Sequence, residues 1–454
     1  MALFVRERKF YQTFFSMTAV VALQNLIVFG VNLADNIMIG RYSENALSGV
    51  AIVNQIQFLL QMIVVAGLGD AVAVVSSRYW GAKDLFSIKK LMSISLFLSI
   101  LVAAIFWFVM FFFPAQVLSL FSKDSAVIAE GVAYTKVVCF TYLFFSITNI
   151  LLASLRSVET VQIGFIVSLA AMVINIILNY MFIFGKLGAP RLGAQGAALA
   201  TLLARIAETA IVLFYLFRID KKLSMRLRDF FQLDFPLAKL YLKVGYPVIS
   251  AGALWGVAMA VQTAILGQLG SQAIAANSIA TTLFQVITVV AMAASSVTAV
   301  MIGKTIGERK MEKIRPYTKT FQILFLAIGL VTGSVLLLLR GPVINFYDIT
   351  EETRQLTFQF IMVLAITVVG TAYQVPCLCG IVRGGGDTRF VFINDTIFMW
   401  LLVLPVSAIA AFVLHWPPFL VFICLKADQI LKCFVAVIKV NRYTWMQDWN
   451  SVKK

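Results

Sequence analysis

The stretch AVVSSRYWGAKD, residues 73–84, recurs 226 positions later as AVMIGKTIGERK, residues 299–310. Ala73/Ala299, Val74/Val300 and Gly81/Gly307 are identical, and Arg78/Lys304 and Lys83/Arg309 keep their charge. Two more pairs follow at nearly the same offset and in the same order. ENALSGVAIVNQI (44–56) resembles SQAIAANSIATTL (271–283), and LRSVET (155–160) resembles VRGGGDT (382–388), with Arg156 facing Arg383 and Thr160 facing Thr388. An offset of half the 454-residue chain means a duplicated unit rather than a short-period array.

The duplicated unit is apolar. Hydrophobic residues make up 61% of the chain and the mean hydropathy is +0.92, whereas soluble proteins run at about 45–50% apolar. The apolar residues fall into twelve stretches at approximately 12–40, 46–76, 91–113, 128–152, 160–184, 195–217, 244–268, 273–303, 319–340, 355–381, 390–413 and 418–440. Each has the roughly 20 residues that a helix needs to cross the hydrocarbon layer. The ten-residue alternating segments of a membrane β-barrel are missing. The expectation is an all-α integral membrane protein: twelve transmembrane helices in two six-helix bundles related by pseudo-twofold symmetry. Six is an even number, so both halves enter and leave on the same side and the repeat is parallel, an arrangement that places a substrate site between the halves.

The net charge of +16 invites a nucleic-acid reading, which its distribution removes. With the N-terminus inside, 27 of the 37 Lys and Arg residues fall on the inner side and six on the outer, the positive-inside bias. Both termini are therefore expected in the cytoplasm of a cell that holds the protein in its inner (plasma) membrane. Arg6, Arg8 and Lys9 precede an apolar run too long for a signal peptide, which makes it a retained first helix. The domains divide as 1–217 for the first bundle, 218–243 for a basic inner linker, 244–440 for the second bundle and 441–454 for an inner tail. The five cysteines all lie inside expected helices, so neither a disulfide framework nor a metal site is indicated. The loops are short and hold no nucleophile–base pair, and the chain is not expected to be an enzyme.

Longer motifs carry a resemblance. NLADNIMIGRYSENALSGVAIVNQ in the first hairpin, GAKD after the second helix, NIILNYMFIFGKLGAPRLGAQGAALAT across the fifth and sixth, and VRGGGDTRF after the tenth resemble the bacterial multidrug and toxic compound extrusion (MATE) family over essentially the whole chain. The resemblance implies the MATE/MOP fold and cation-coupled efflux, driven by H⁺ or Na⁺ with no cofactor. It places the coupling carboxylate of the N-terminal half at Asp35, with Tyr134, Asn175 and Asn179 beside it. Asn179 stands where relatives keep a second acid. The acids that other members carry in the C-terminal half fall near Trp255 or Gly256 and at Ala372, so both are missing here, and coupling is assigned to the N-terminal half.

Charges inside helices cost about 2.5–3.5 kcal/mol each on insertion and usually face an interior or a cavity. Asp35 has Asn32 three residues before it on the same helical face. Asp70, flanked by glycines in VAGLGDAV, is a candidate second coupling acid. Arg205 and Glu208 are spaced to pair with each other, as are Asp428 and Lys432. Asp395 reads as a structural group near the interface. Lys136 and Lys426 have no such partner, and Lys136 is placed in the lumen near Tyr134 or toward Asp35. The substrate cavity is expected between helices one, two, seven and eight, lined by Asn32, Gln55, Lys136, Arg205, Trp255, Met259, Gln262 and Asn277. Asn54 and Gln57 are further candidates. RGGGD is read as a tight glycine turn whose Asp387 caps the next helix, not as a phosphate loop, since no strand precedes it and the lysine is missing. The function expected is a monomeric antiporter that exports organic cations, drugs or other amphiphiles by alternating access in contact with membrane lipids. The alternative is a flippase or exporter of a lipid-linked or anionic substrate in the same superfamily, which Lys136, Arg205 and Lys426 favour if they face the cavity.

Overall fold

A computed structural model describes residues 4–121, 124–232, 234–345 and 349–446; residues 447–454 of the expected tail lie outside the described residues. Among the described residues twelve long helical segments, several of them interrupted, run in chain order, with short helices at Pro114–Ser119 and Leu227–Phe231 between them. The first six are α1 (Arg8–Tyr42), α2 (Glu44–Gln61, Met62–Gly69, Asp70–Gly81), α3 (Leu85–Phe112), α4 (Ser125–Val138, Thr141–Ser157), α5 (Gln162–Phe184) and α6 (Ala194–Phe214, Tyr215–Ile219). Then come α7 (Phe235–Gly267), α8 (Ser271–Gly307), α9 (Met311–Ile344), α10 (Glu351–Val375, Pro376–Val382), α11 (Thr388–Thr396, Ile397–Val403, Leu404–Phe412) and α12 (Pro418–Lys426, Asp428–Arg442). Among the described residues ten helices are long and apolar enough to cross a membrane, and eleven if the two parts of α4 count as one span. α12 is not among them, because it breaks at Ala427 into helices of 9 and 15 residues, with Lys426 and Asp428 flanking the break.

The membrane dictates which faces are apolar. On α3 the side chains of Phe97, Leu101, Ile105 and Phe108 form an exposed stripe at helical spacing, while Leu91, Ser95, Ser99 and Ala103 are buried. Small and hydroxylated residues let neighbouring helices approach, and bulky apolar ones meet lipid. Within α4 the two parts meet at 53°, where an unbroken helix was expected. The Thr141 hydroxyl donates to the Val138 carbonyl at 2.6 Å and the Cys139 thiol to that of Lys136 at 3.8 Å. Side chains that bond back to the preceding turn in this way bend helices. Four wider, π-type segments interrupt the ladders, at Met62–Gly69, Tyr215–Ile219, Pro376–Val382 and Ile397–Val403. The third opens on a proline, which has no N–H to donate.

The fold divides into two compact units. One comprises Met1–Ala22, Ser77–Ala82 and Tyr246–Lys454, and the other Leu23–Ser76 and Lys83–Gly245. The first unit has a core in which Phe360 of α10 stacks on Phe422 of α12 at 3.9 Å, and Phe10 and Phe14 of α1 pack on Phe321 of α9 at 4.9 and 5.4 Å. It also holds a close backbone crossing. A Cβ on Gly81 would lie 2.0 Å from the Lys304 carbonyl, and one on Gly307 would lie 2.0 Å from that of Arg78. These residues are exchanged by the sequence repeat, so the contact is its own mirror, as a local twofold requires.

In the second unit the linker is pinned down. Lys89 of α3 reaches the Asp229 carboxylate at 2.9 Å and the Ser224 carbonyl at 3.1 Å. Lys90 reaches Asp234 at 2.7 Å, and Lys222 donates to the Val158 carbonyl at 2.7 Å. The basic character of this segment thus serves local attachment as well as topology.

Candidate functional site

The site is assembled from helical stripes of the second unit. Along α1, Val28, Asn32 and Asp35 fall three or four residues apart and face one way; on α2 the same holds for Val50, Asn54 and Gln57. Ser168, Ala171 and Asn175 continue the pattern on α5, and Thr201, Arg205 and Glu208 on α6, with Tyr134 supplied by α4. Together they line a small cavity that is partly open to solvent.

Asp35 sits in its wall. The Asn179 amide donates to Asp35 Oδ1 and, through its second hydrogen, to Asn175 Oδ1 at 3.0 Å. The Asn175 amide in turn points to the Thr201 hydroxyl at 3.4 Å. Asn175 and Asn179 are buried one turn apart on α5, which is why a single amide can bridge both. Asn179 Oδ1 is buried and has no hydrogen-bond partner among the described residues. Asp35 makes no ion pair among them, and its hydrogen-bond partner is the neutral Asn179 amide.

The expected cluster of Asp35, Tyr134, Asn175 and Asn179 is therefore one place in space, and Asn32 lines the same cavity. Arg205 also lines it and pairs with Glu208 at 2.7 Å, as the spacing predicts. Lys136 requires correction. It is exposed and does not line the cavity; Tyr134, two residues away and nearly opposite on the helix, takes the inward position. Gln55 is exposed for the same reason, between Asn54 and Gln57. Asp70 is outside the cavity and bonds to Arg156 at 3.5 Å. Thr201 and Ser168 were not foreseen; single hydroxyls in apolar helices carry no signal until a neighbouring helix is placed against them.

The remaining candidates belong to the first unit. Gln262 is buried and bridges the Met399 sulfur at 3.3 Å and the Lys426 ammonium at 3.0 Å. Trp255 is exposed, and Met259 and Asn277 are half-buried. Lys432 binds two carboxylates, Asp395 at 2.9 Å and Asp428 at 3.2 Å, so Asp395 serves as an ion-pair partner. In the glycine turn, Asp387 caps α11 by accepting from the Phe390 amide at 3.2 Å and also holds Lys439 at 2.7 Å.

The comparisons agree with this architecture. Relatives include the probable multidrug resistance protein NorM of Listeria innocua, 24% identical over 95% of this chain and 94% of its own length. The multidrug resistance protein NorM of Vibrio vulnificus is 24% identical over 88% and 87%. Among solved structures, a D35N mutant of the Vibrio cholerae MATE transporter VcmN superposes with a TM-score of 0.87 over 96% of this chain and 97% of that one, at 18% identity. The MatE family model matches twice, at residues 21–181 and 247–409, one match per repeat. Two matches that together span most of the chain, on the fold of MATE transporters, mean that the chain belongs to the MatE family.

Proposed function

We propose that the chain is a cation-coupled antiporter that exports organic cations, drugs or other amphiphiles by alternating access, with Asp35 as the coupling group. The observation that carries this reading is an aspartate facing a cavity with a neutral amide as its partner and no counter-charge bonded to it. Such a carboxylate attracts a cation or takes up a proton, and either event changes what it asks of its neighbours. Asn175, Thr201 and Tyr134 line the same cavity and carry side-chain oxygen atoms, the ligand type that suits a hard cation such as Na⁺. H⁺ needs only the carboxylate. Trp255, Met259, Gln262 and Asn277 are assigned to the cargo path of the other half. The charge asymmetry of the loops supports cytoplasmic termini in the inner membrane, and a single chain is read as sufficient.

An anionic cargo draws less support, because the one cationic residue lining this cavity is already paired with Glu208. The test is uptake of a fluorescent organic cation into proteoliposomes under separately imposed H⁺ and Na⁺ gradients. Asp35→Asn is expected to insert normally and to lose gradient-driven uptake. Uptake at the unaltered rate would remove Asp35 from the mechanism.

A further inference from the structure

The cavity beside Asp35 holds a second acid. Glu208 is buried, lies one turn along α6 from Arg205 and bonds to its guanidinium at 2.7 Å. The guanidinium also lies over the Phe145 ring at 5.2 Å, which fixes it from a second direction. Both charged groups line the same cavity as Asp35.

The ionisable residues facing this space come from three of the five helices. α1 contributes Asp35, α4 contributes Tyr134 as its neutral phenol, and α6 contributes Arg205 and Glu208, while the lining residues of α2 and α5 carry no charge. With Asp35 ionised the side-chain charges are two negative and one positive, a net of −1. With Asp35 neutralised they sum to zero.

We propose that the Arg205–Glu208 pair sets the charge selectivity of this cavity, so that one positive charge at a time satisfies it. That charge is a proton, an alkali cation or a singly charged organic cation, and a dication is disfavoured. The inference rests on the reading of Asp35 as the coupling carboxylate. Glu208 supplies the second acid that Asn179 lacks, and Arg205 withholds it. Charges in a water-poor site act on one another over a longer range than in bulk water, so removing Arg205 would expose Glu208 to the cargo without touching Asp35. Removing one member of a buried pair leaves the other uncompensated.

The test uses two dyes that share one aromatic nucleus, ethidium with one positive charge and propidium with two, bound to the purified full-length protein. The unaltered protein is expected to prefer ethidium. Arg205→Gln should move the propidium-to-ethidium affinity ratio upward by about tenfold, a change worth about 1.4 kcal/mol. Arg205→Gln with Glu208→Gln should return the ratio to its starting value. Glu208→Gln alone leaves a net charge of zero and should weaken ethidium binding, which keeps the inference testable if Arg205→Gln fails to fold. An unmoved ratio in Arg205→Gln, a double variant that stays shifted, or full ethidium affinity in Glu208→Gln would overturn it. Ethidium binding by Asp35→Asn reports separately: unchanged affinity there counts against the coupling reading, whatever Arg205 does. No dye binding by the unaltered protein would overturn both.

Discussion

Asn179 donates both of its amide hydrogens, to Asp35 and to Asn175, and so ties α1 to α5. Asn179→Ala would strip the half-buried Asp35 carboxylate and the buried Asn175 oxygen of their shared donor. The expected cost is about 1–3 kcal/mol, the penalty for leaving a buried polar group unsatisfied, read as a lower apparent melting temperature in detergent. Dye uptake should fall with it, and a variant with unchanged stability and uptake would show that the bridge is dispensable. At this scale much was legible. Charge inside an apolar run marks Asp35, whereas Tyr134, Asn175 and Asn179 were placed beside it by the resemblance to the MATE family. Lys136 was placed inward because no opposite charge lies at helical spacing from it; Tyr134 takes the inward position, and residues two apart on a helix point away from each other. The pairing of Arg205 with Glu208 was legible from spacing. Arg205 was expected in a cavity wall, but that Glu208 joins it there beside Asp35 was not legible, since that depends on how α6 docks against α1.

The glycine turn after α10 shows why a motif with no catalytic chemistry still constrains sequence. Gly386 has φ +97, a conformation that side chains rarely adopt, and a Cβ there would meet the Arg78 guanidinium at 2.0 Å. A Cβ on Gly385 would enter the ring of Trp445, which is fully buried and donates to the Val440 carbonyl at 3.0 Å. Gly386 pairs with Met446 in an isolated bridge, so the turn seats the chain that follows α12. Gly386→Ala is expected to destabilise the protein by about 1–3 kcal/mol through backbone strain and to expose the Trp445 region to a protease. A melting temperature equal to that of the unaltered protein would overturn the account. The capping role of Asp387 was readable in the sequence, because a side-chain acceptor before an apolar run is a local signal. The seating of Trp445 and Arg78 was not, since both come from distant parts of the chain. The bend in α4 lay beyond reach for a related reason: Thr141 and Cys139 are compatible with a straight helix until their back-bonds form.

For the whole molecule, duplication is written into backbone conformation as well as sequence. Lys83 and Arg309, equivalent by the repeat, both have positive φ, at 60° and 57°. The repeat, the helix count and the fold class were therefore legible, because they follow from periodicity and hydropathy. What the halves do differently was legible only in part. One holds Asp35 beside an amide in a cavity, and the other holds Lys432 between Asp395 and Asp428. The linker was read as a tether, yet it is clasped to α3 through charge. Its effect on stability has a defined pH dependence. The Lys90 ammonium and the Leu237 amide hold the Asp234 carboxyl below its usual range. For Asp229 burial opposes ionisation, but hydrogen bonds from Lys89 and the Arg226 amide outweigh it and the carboxyl again titrates low. A carboxylate lowered in the folded state stabilises that state above its unfolded pKa, about 3.9, and the stabilisation is lost as pH falls through the folded value. The clasp is therefore expected to be complete at neutral pH and to release only below about pH 4. Hydrogen exchange of residues 220–232, corrected for intrinsic rates, should stay slow from neutral pH down to that point and then rise. Asp229→Asn should exchange fast already at neutral pH; slow exchange in that variant would mean that backbone packing alone, and not the Lys89 pair, holds the linker in place.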